Sequence, residues 1–136
     1  MSDLTTTGAA KFRDALGQDS AYTIGATVYV ALHSGDPGAD GSANEIETAS
    51  GYARAAIAAP GEIDQYSDGE ARGIENNVAV DYTASGSWPA VSHVSLCENE
   101  SGGDHIAAYA LDTTRTNIIA GDIPRWRPGE LRFELD

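Results

Sequence analysis

The chain has one cysteine, one lysine and two phenylalanines among 136 residues, and each scarcity excludes something. Cys97 has no partner for an internal disulfide, so the fold does not depend on oxidising conditions. Its strand-like surroundings, VSHVSLC, predict a buried, inert thiol. With Lys11 the single lysine, seven arginines carry the remaining positive charge, and their planar forks suit fixed pairs with carboxylates. No apolar run approaches membrane-spanning length, and the first residues, MSDLTTTG, lack the basic-then-apolar order of a signal peptide. A chain made and used in soluble form, with no membrane partner, is the expectation. GxSxG, HExxH, a Walker phosphate loop and a GxGxxG after a strand are all missing. Nothing sets a nucleophile, a base and an oxyanion donor in a familiar order, so no enzyme and no cofactor are expected.

What is abundant is acid. Twenty-one Asp and Glu against eight Lys and Arg give a net charge of −13, which repels nucleic acid and anionic membranes at long range. Self-repulsion for solubility explains the excess, and a basic partner or divalent cations are the functional alternative. The 41% apolar content is ordinary for a globular chain, and the length suits one domain with a full core.

Leu4, Ala9, Phe12, Ala15 and Leu16 recur at helical spacing, with Thr5, Thr6 or Thr7 as N-cap and Gly17 as the stop. This helix either packs on its own sheet or docks on a neighbouring subunit, which divides the chain into a helix or docking arm (1–18) and a β-domain (19–136). Strands are predicted at Ala26–His33, Tyr52–Ala59, Val78–Tyr82, Val91–Glu98, Ile106–Leu111, Thr116–Ile119 and Leu131–Leu135, with Val28, Val30 and Leu32 sharing one face and Tyr29 and Ala31 the other. The fold class is therefore all-β, an antiparallel sandwich of about seven strands behind a short N-terminal helix. Two long polar excursions interrupt it, one after His33 and one over Pro60–Asn77. Such loops are where function or subunit contacts concentrate.

Five constellations bear on chemistry. Asp36, Asp40, Gly41, Asn44 and Glu47 match positions one, five, six, nine and twelve of a calcium loop, but Gly38 stands at the third and a strand precedes the segment. Asp, Asn and Gly also favour turns, and an ordinary turn is the expectation, with no metal. His33, His93 and His105 lack ligand spacing and read as strand-end or surface residues. Glu98, Glu100 and Asp104 crowd ENESGGD, where a polar hairpin accounts for them without glycosidase chemistry. Trp88, Trp126 and the tyrosines read as core or interface anchors, with a sugar-stacking surface on a host glycan as the alternative. Arg125-Trp126-Arg127 is either an anchor toward another acidic protomer or a charged strand edge.

The order of VYVALHSGDP, NEI, GYARAAI, SWPAVSHVSLCENESGGDHIAAYAL and AGDIPRWRPGELRFELD resembles that of a family of small structural proteins of tailed bacteriophages. The residues that carry it are Leu32, His33, Asp36 and Pro37; Tyr52, Ala53 and Arg54; Trp88, Val91 and His93; and Gly121 and Asp122, within residues 26–136. The extended Pro60–Asn77 stretch departs from the pattern. The resemblance implies a non-enzymatic virion component, tail- or fibre-associated, that forms a homo-oligomer (a trimer) and contacts other virion proteins. A capsid decoration protein is the alternative within that class, and a carbohydrate-binding module the alternative outside it.

Overall fold

The computed structural model describes residues 3–17, 26–58, 61–65 and 73–135. Thr5 caps α1 (Thr6–Gly17): its hydroxyl accepts from the Gly8 N–H at 3.0 Å and points its own proton at the His105 carbonyl. The helix lies on a strand so closely that a Cβ on Gly8 would stand 2.1 Å from the Ile106 carbonyl oxygen. Leu16, expected on the packed face, is 90% exposed. The helix leans through its first turns, and Leu16 in its last turn faces solvent.

β1 (Thr27–His33), β2 (Ala55–Ala58), β6 (Val91–Cys97) and β7 (His105–Arg115) form an antiparallel sheet in the order β2-β1-β6-β7. β3 (Ile63–Gln65), β4 (Gly73–Asn76) and β9 (Arg132–Glu134) form a second, ordered β3-β4-β9. β5 (Val80–Asp81) and β8 (Arg125–Trp126) make a two-stranded third. Side chains from all three meet in one core: Val30, Leu32 and Val94 from the first, Ile63 and Phe133 from the second, Val80 and Trp126 from the third. The chain is thus all-β with a short N-terminal helix.

The differences from the sequence reading have local causes. Nine strands occur among the described residues. β3 and β4 lie within the Pro60–Asn77 excursion; residues 60 and 66–72 of it, like Ala59 and the 18/19 boundary, fall outside the described residues. Thr116–Ile119 is no strand. Only Ile118 among these four turns into the core, and its carbonyl accepts from the Trp88 N–H at 3.0 Å. Val78, which strand alternation would set on the same side as Val80 and Tyr82, is 38% exposed against 4% for each of those two. The Asn76 side chain binds the Val78 carbonyl at 2.8 Å and turns that residue outward ahead of β5. β7 runs past its expected end through a bulge that sets residues 111–114 opposite Ser92 alone: Ala110 pairs with His93 and Arg115 with Val91.

The first sheet has two buried faces. Val28, Val30 and Leu32 fill the apolar core, while Ala31, His33, Ser95 and Cys97 on the opposite face are each 0% exposed, under the Pro37–Ile46 loop and α1. The candidate site is built on that second face.

Candidate functional site

Period-two alternation puts His33 on one side of β1, and Ser95 and Cys97 on the same side of β6. The β6–β7 register adds His105, opposite Cys97. Four polar side chains thus share a dry surface, and each needs a partner. Arg54, just ahead of β2, organises them. Its side chain is 4% exposed and spends all five N–H groups. Nε and one terminal nitrogen hold the two Glu45 oxygens at 2.8 and 2.7 Å. The other terminal nitrogen donates to the carbonyls of Asn99 and Gly102, both at 2.8 Å. The last N–H points at His105 Nε2, 3.5 Å away.

Donor logic fixes the rest. Arginine only donates, so His105 Nε2 accepts and Nδ1 carries the proton toward Ser95 Oγ at 2.9 Å. Ser95 then donates to His33 Nε2 at 2.8 Å, and His33 Nδ1 donates to the Ala43 carbonyl at 2.7 Å. A single directed chain runs Arg54 → His105 → Ser95 → His33 → Ala43. It ties the loop after β1, three strands and the β6–β7 hairpin together. Burial pushes both histidines below their ordinary value, and the Arg54 charge adds to this at His105.

Glu45 also accepts from the Tyr52 hydroxyl at 2.8 Å, and that hydroxyl accepts from the Leu32 N–H at 3.0 Å. Burial works to raise the Glu45 carboxyl, but the Arg54 and Tyr52 bonds overcome it and hold it below the usual range. Cys97, 3.2 Å from His105 Nδ1, has its thiol pushed up to about 11 by burial, which keeps it protonated. Ser95 stands between two imidazoles, an arrangement that can activate a hydroxyl, yet Ser95 and His33 are 0% exposed. Outside this cluster, Glu47, Tyr52, Arg54, Glu100 and Gly102 line a groove of about 770 Å³.

The other sequence candidates have structural employment. Asp36 Oδ1 accepts from the Gly38 N–H, and Asp40 Oδ1 from the Ser42 N–H and hydroxyl. Gly41, with φ of +81°, leaves room for Thr5 and His105, either of which a Cβ would meet at 2.7 Å. The sixth-position glycine therefore has a packing role. Among the described residues no three His, Cys, Asp or Glu side chains are grouped to hold a metal ion. Lys11 of α1 clamps Glu98 at 2.6 Å and Asp104 at 2.8 Å, while Glu100 is exposed. His93, opposite His33, meets the Ser92 hydroxyl at 2.8 Å.

Trp88 and Trp126 are 7% and 2% exposed and lie edge-on to Tyr82 within the core, so they form no sugar-stacking surface. In Arg125-Trp126-Arg127 only the tryptophan turns inward. Arg125 pairs with Asp81 at 2.6 and 2.8 Å, and the Arg127 side chain is exposed. The sequence reading overlooked Ser95 and the Glu45–Arg54 pair. The available signal was the alternation in VSHVSLC, which puts Ser95 and Cys97 on the face opposite Val94 and Leu96.

His33, Tyr52 and Arg54, three of the residues behind the phage resemblance, therefore converge on one buried polar cluster with the NEI glutamate, Glu45. No curated protein matches the sequence. A family model described as "Podophage GP4 fiber I protein gp80" matches residues 3–134, nearly the whole chain. The chain belongs to that podophage fibre family and is a structural component of the virion.

Proposed function

We propose that the chain is a non-enzymatic fibre component held on the particle in several copies, a trimer, and bound to other virion proteins. The family match over residues 3–134 carries this reading. The sealed chemistry supports it: Ser95 lies beneath the loop after β1, and the Cys97 thiol stays protonated. A chain at −13 avoids nucleic acid and needs defined contacts to associate with its own kind. Leu16 at the end of α1, and Ile119 and Ile123 on either side of the Gly121-Asp122 turn, are exposed apolar residues suited to such contacts. The arm (1–18) and the β-body (19–136) act together here. Several weak contacts in fixed geometry sum to firm attachment.

The test combines the mass of the purified protein by light scattering with gold labelling of purified particles under the electron microscope. A trimer in solution and label on the tail fibres are expected. Label spread over the shell would make it a capsid decoration protein, and a monomer at every concentration would remove the oligomeric reading.

A further inference from the structure

The Arg54 centre is a junction as well as a fastening. Asn99 and Gly102 belong to the β6–β7 turn, and Glu45 belongs to the loop that crosses the sheet. Both segments reach the sheet's polar face through one guanidinium. That guanidinium meets His105 Nε2 with an N–H, and the contact holds only while Nε2 keeps its lone pair. We propose that His105 is a proton-operated release: protonation at Nε2 drives Arg54 off its acceptors and frees the Asn99–Gly103 turn and the Pro37–Ile46 loop together, while the four-stranded sheet stays intact.

The two ends of the imidazole differ in what they tolerate. At Nδ1 the proton is already present, and Ser95 Oγ accepts it. At Nε2 a new N–H would face an arginine N–H with no acceptor between them. The ring cannot retreat easily, because the His105 backbone is paired with Cys97 and its carbonyl takes the Thr5 proton. The guanidinium, at the end of a long side chain, is the part that yields. His33 is better provided for. If its Nε2 gains a proton, the Ser95 hydroxyl can turn from donor to acceptor and swing its own proton toward Cys97 Sγ, 3.5 Å away.

The charged surroundings of His105 oppose one another. His33 on β1 and Arg54 ahead of β2 disfavour a second positive charge, and Glu45 and Asp40 in the crossing loop favour one. Cys97 on β6 is neutral. At the hairpin, the Asp104 and Glu98 carboxylates are taken by Lys11 of α1. On the far side of His33 stands His93. Once Arg54 leaves, Glu45, the carboxylate that acts on His105 more strongly than Asp40, is freed to receive the new imidazolium.

Amide hydrogen exchange of the intact chain, resolved by residue and corrected for intrinsic rates, tests this with imidazole resonances followed over the same pH range. Ser34, Ala43, Ile46 and Glu98 report on the two segments through their backbone bonds to Asn44, Pro37, Leu32 and Asp104. Between about pH 7.5 and about pH 5, their protection should fall by about tenfold or more in step with the His105 ring signal, while the β1–β6 amides keep theirs. His105→Gln should hold its protection at both ends of that range. Simultaneous loss across β1 and β6 would mean ordinary global unfolding and would overturn the proposal. So would His105→Gln opening in acid as the natural chain does. Should the variant not fold, the natural chain still decides: a His105 ring that titrates while the four amides stay protected rules the release out.

Discussion

At the scale of single residues, Arg54 joins the loop after β1 and the β6–β7 turn to the sheet. Replacing it by Ala strands the Glu45 carboxylate and leaves two hairpin carbonyls without their donor. The expected loss is about 3 kcal/mol, the low end for breaking a buried pair, because Glu45 keeps some contact with water. Urea unfolding of the variant against the natural chain measures it. Arg54→Lys should recover little, since an ammonium cannot span two carboxylate oxygens and two carbonyls at once. Tyr52→Phe removes the hydroxyl that accepts from the buried Leu32 N–H and should cost about 1–2 kcal/mol in the same assay. A midpoint unchanged by Tyr52→Phe would show that water replaces the hydroxyl. The sequence made Tyr52 and Arg54 visible only as parts of a recurrent phrase. Their roles depend on Glu45, seven and nine positions away, and on carbonyls beyond residue 98, and no local pattern reports such meetings.

At the scale of elements, legibility followed how much of each element is written locally. TVYVALH, VSHVSLC and LRFEL alternate strongly enough to be recognised as strands without their neighbours, and the threonines at 5–7 with the Gly17 stop marked the helix, Thr5 proving to be the cap. β3, β4 and β8 are two to four residues long and exist because a partner strand is present, so the chain around them reads as turn. The second, polar buried face was also unread: His33 and Ser95 look like surface residues until a loop and a helix cover them. α1 is held by fit more than by charge. Gly8→Ala places a methyl against the Ile106 carbonyl and should cost about 1–3 kcal/mol, as overpacking does, with chemical-shift changes confined to α1 and β7. Lys11→Met breaks two ion pairs that remain in contact with solvent, and its thermal midpoint should move by less than about 1 kcal/mol in equivalent stability.

At the scale of the whole molecule, stability should depend on pH in a definite sense. His33 and His105 hold their protons less tightly folded than unfolded, so the unfolded chain binds more protons below the ordinary value of 6.5. The stability present above that pH is lost as the pH falls, by up to about 1.4 kcal/mol per pH unit for each histidine. The depressed Glu45 carboxyl adds a further loss below its ordinary 4.5. Urea midpoints should therefore be level from about pH 7 to 8 and decline from about pH 6.5 to 5; a level midpoint across the lower range would contradict the buried-histidine account. One feature of the terminal segments reaches beyond stability. Asp3 donates its N–H to the Glu134 carbonyl at 2.6 Å, and its side chain accepts the Glu134 N–H at 2.8 Å. A polypeptide entering at Asp3 and leaving at Glu134 returns to its point of entry, as in units that tolerate insertion into another chain or cutting and rejoining in a new order. Anything grafted before the one or after the other would spring from the same spot, as two branches from a single fork, leaving the opposite pole of the body open to its surroundings.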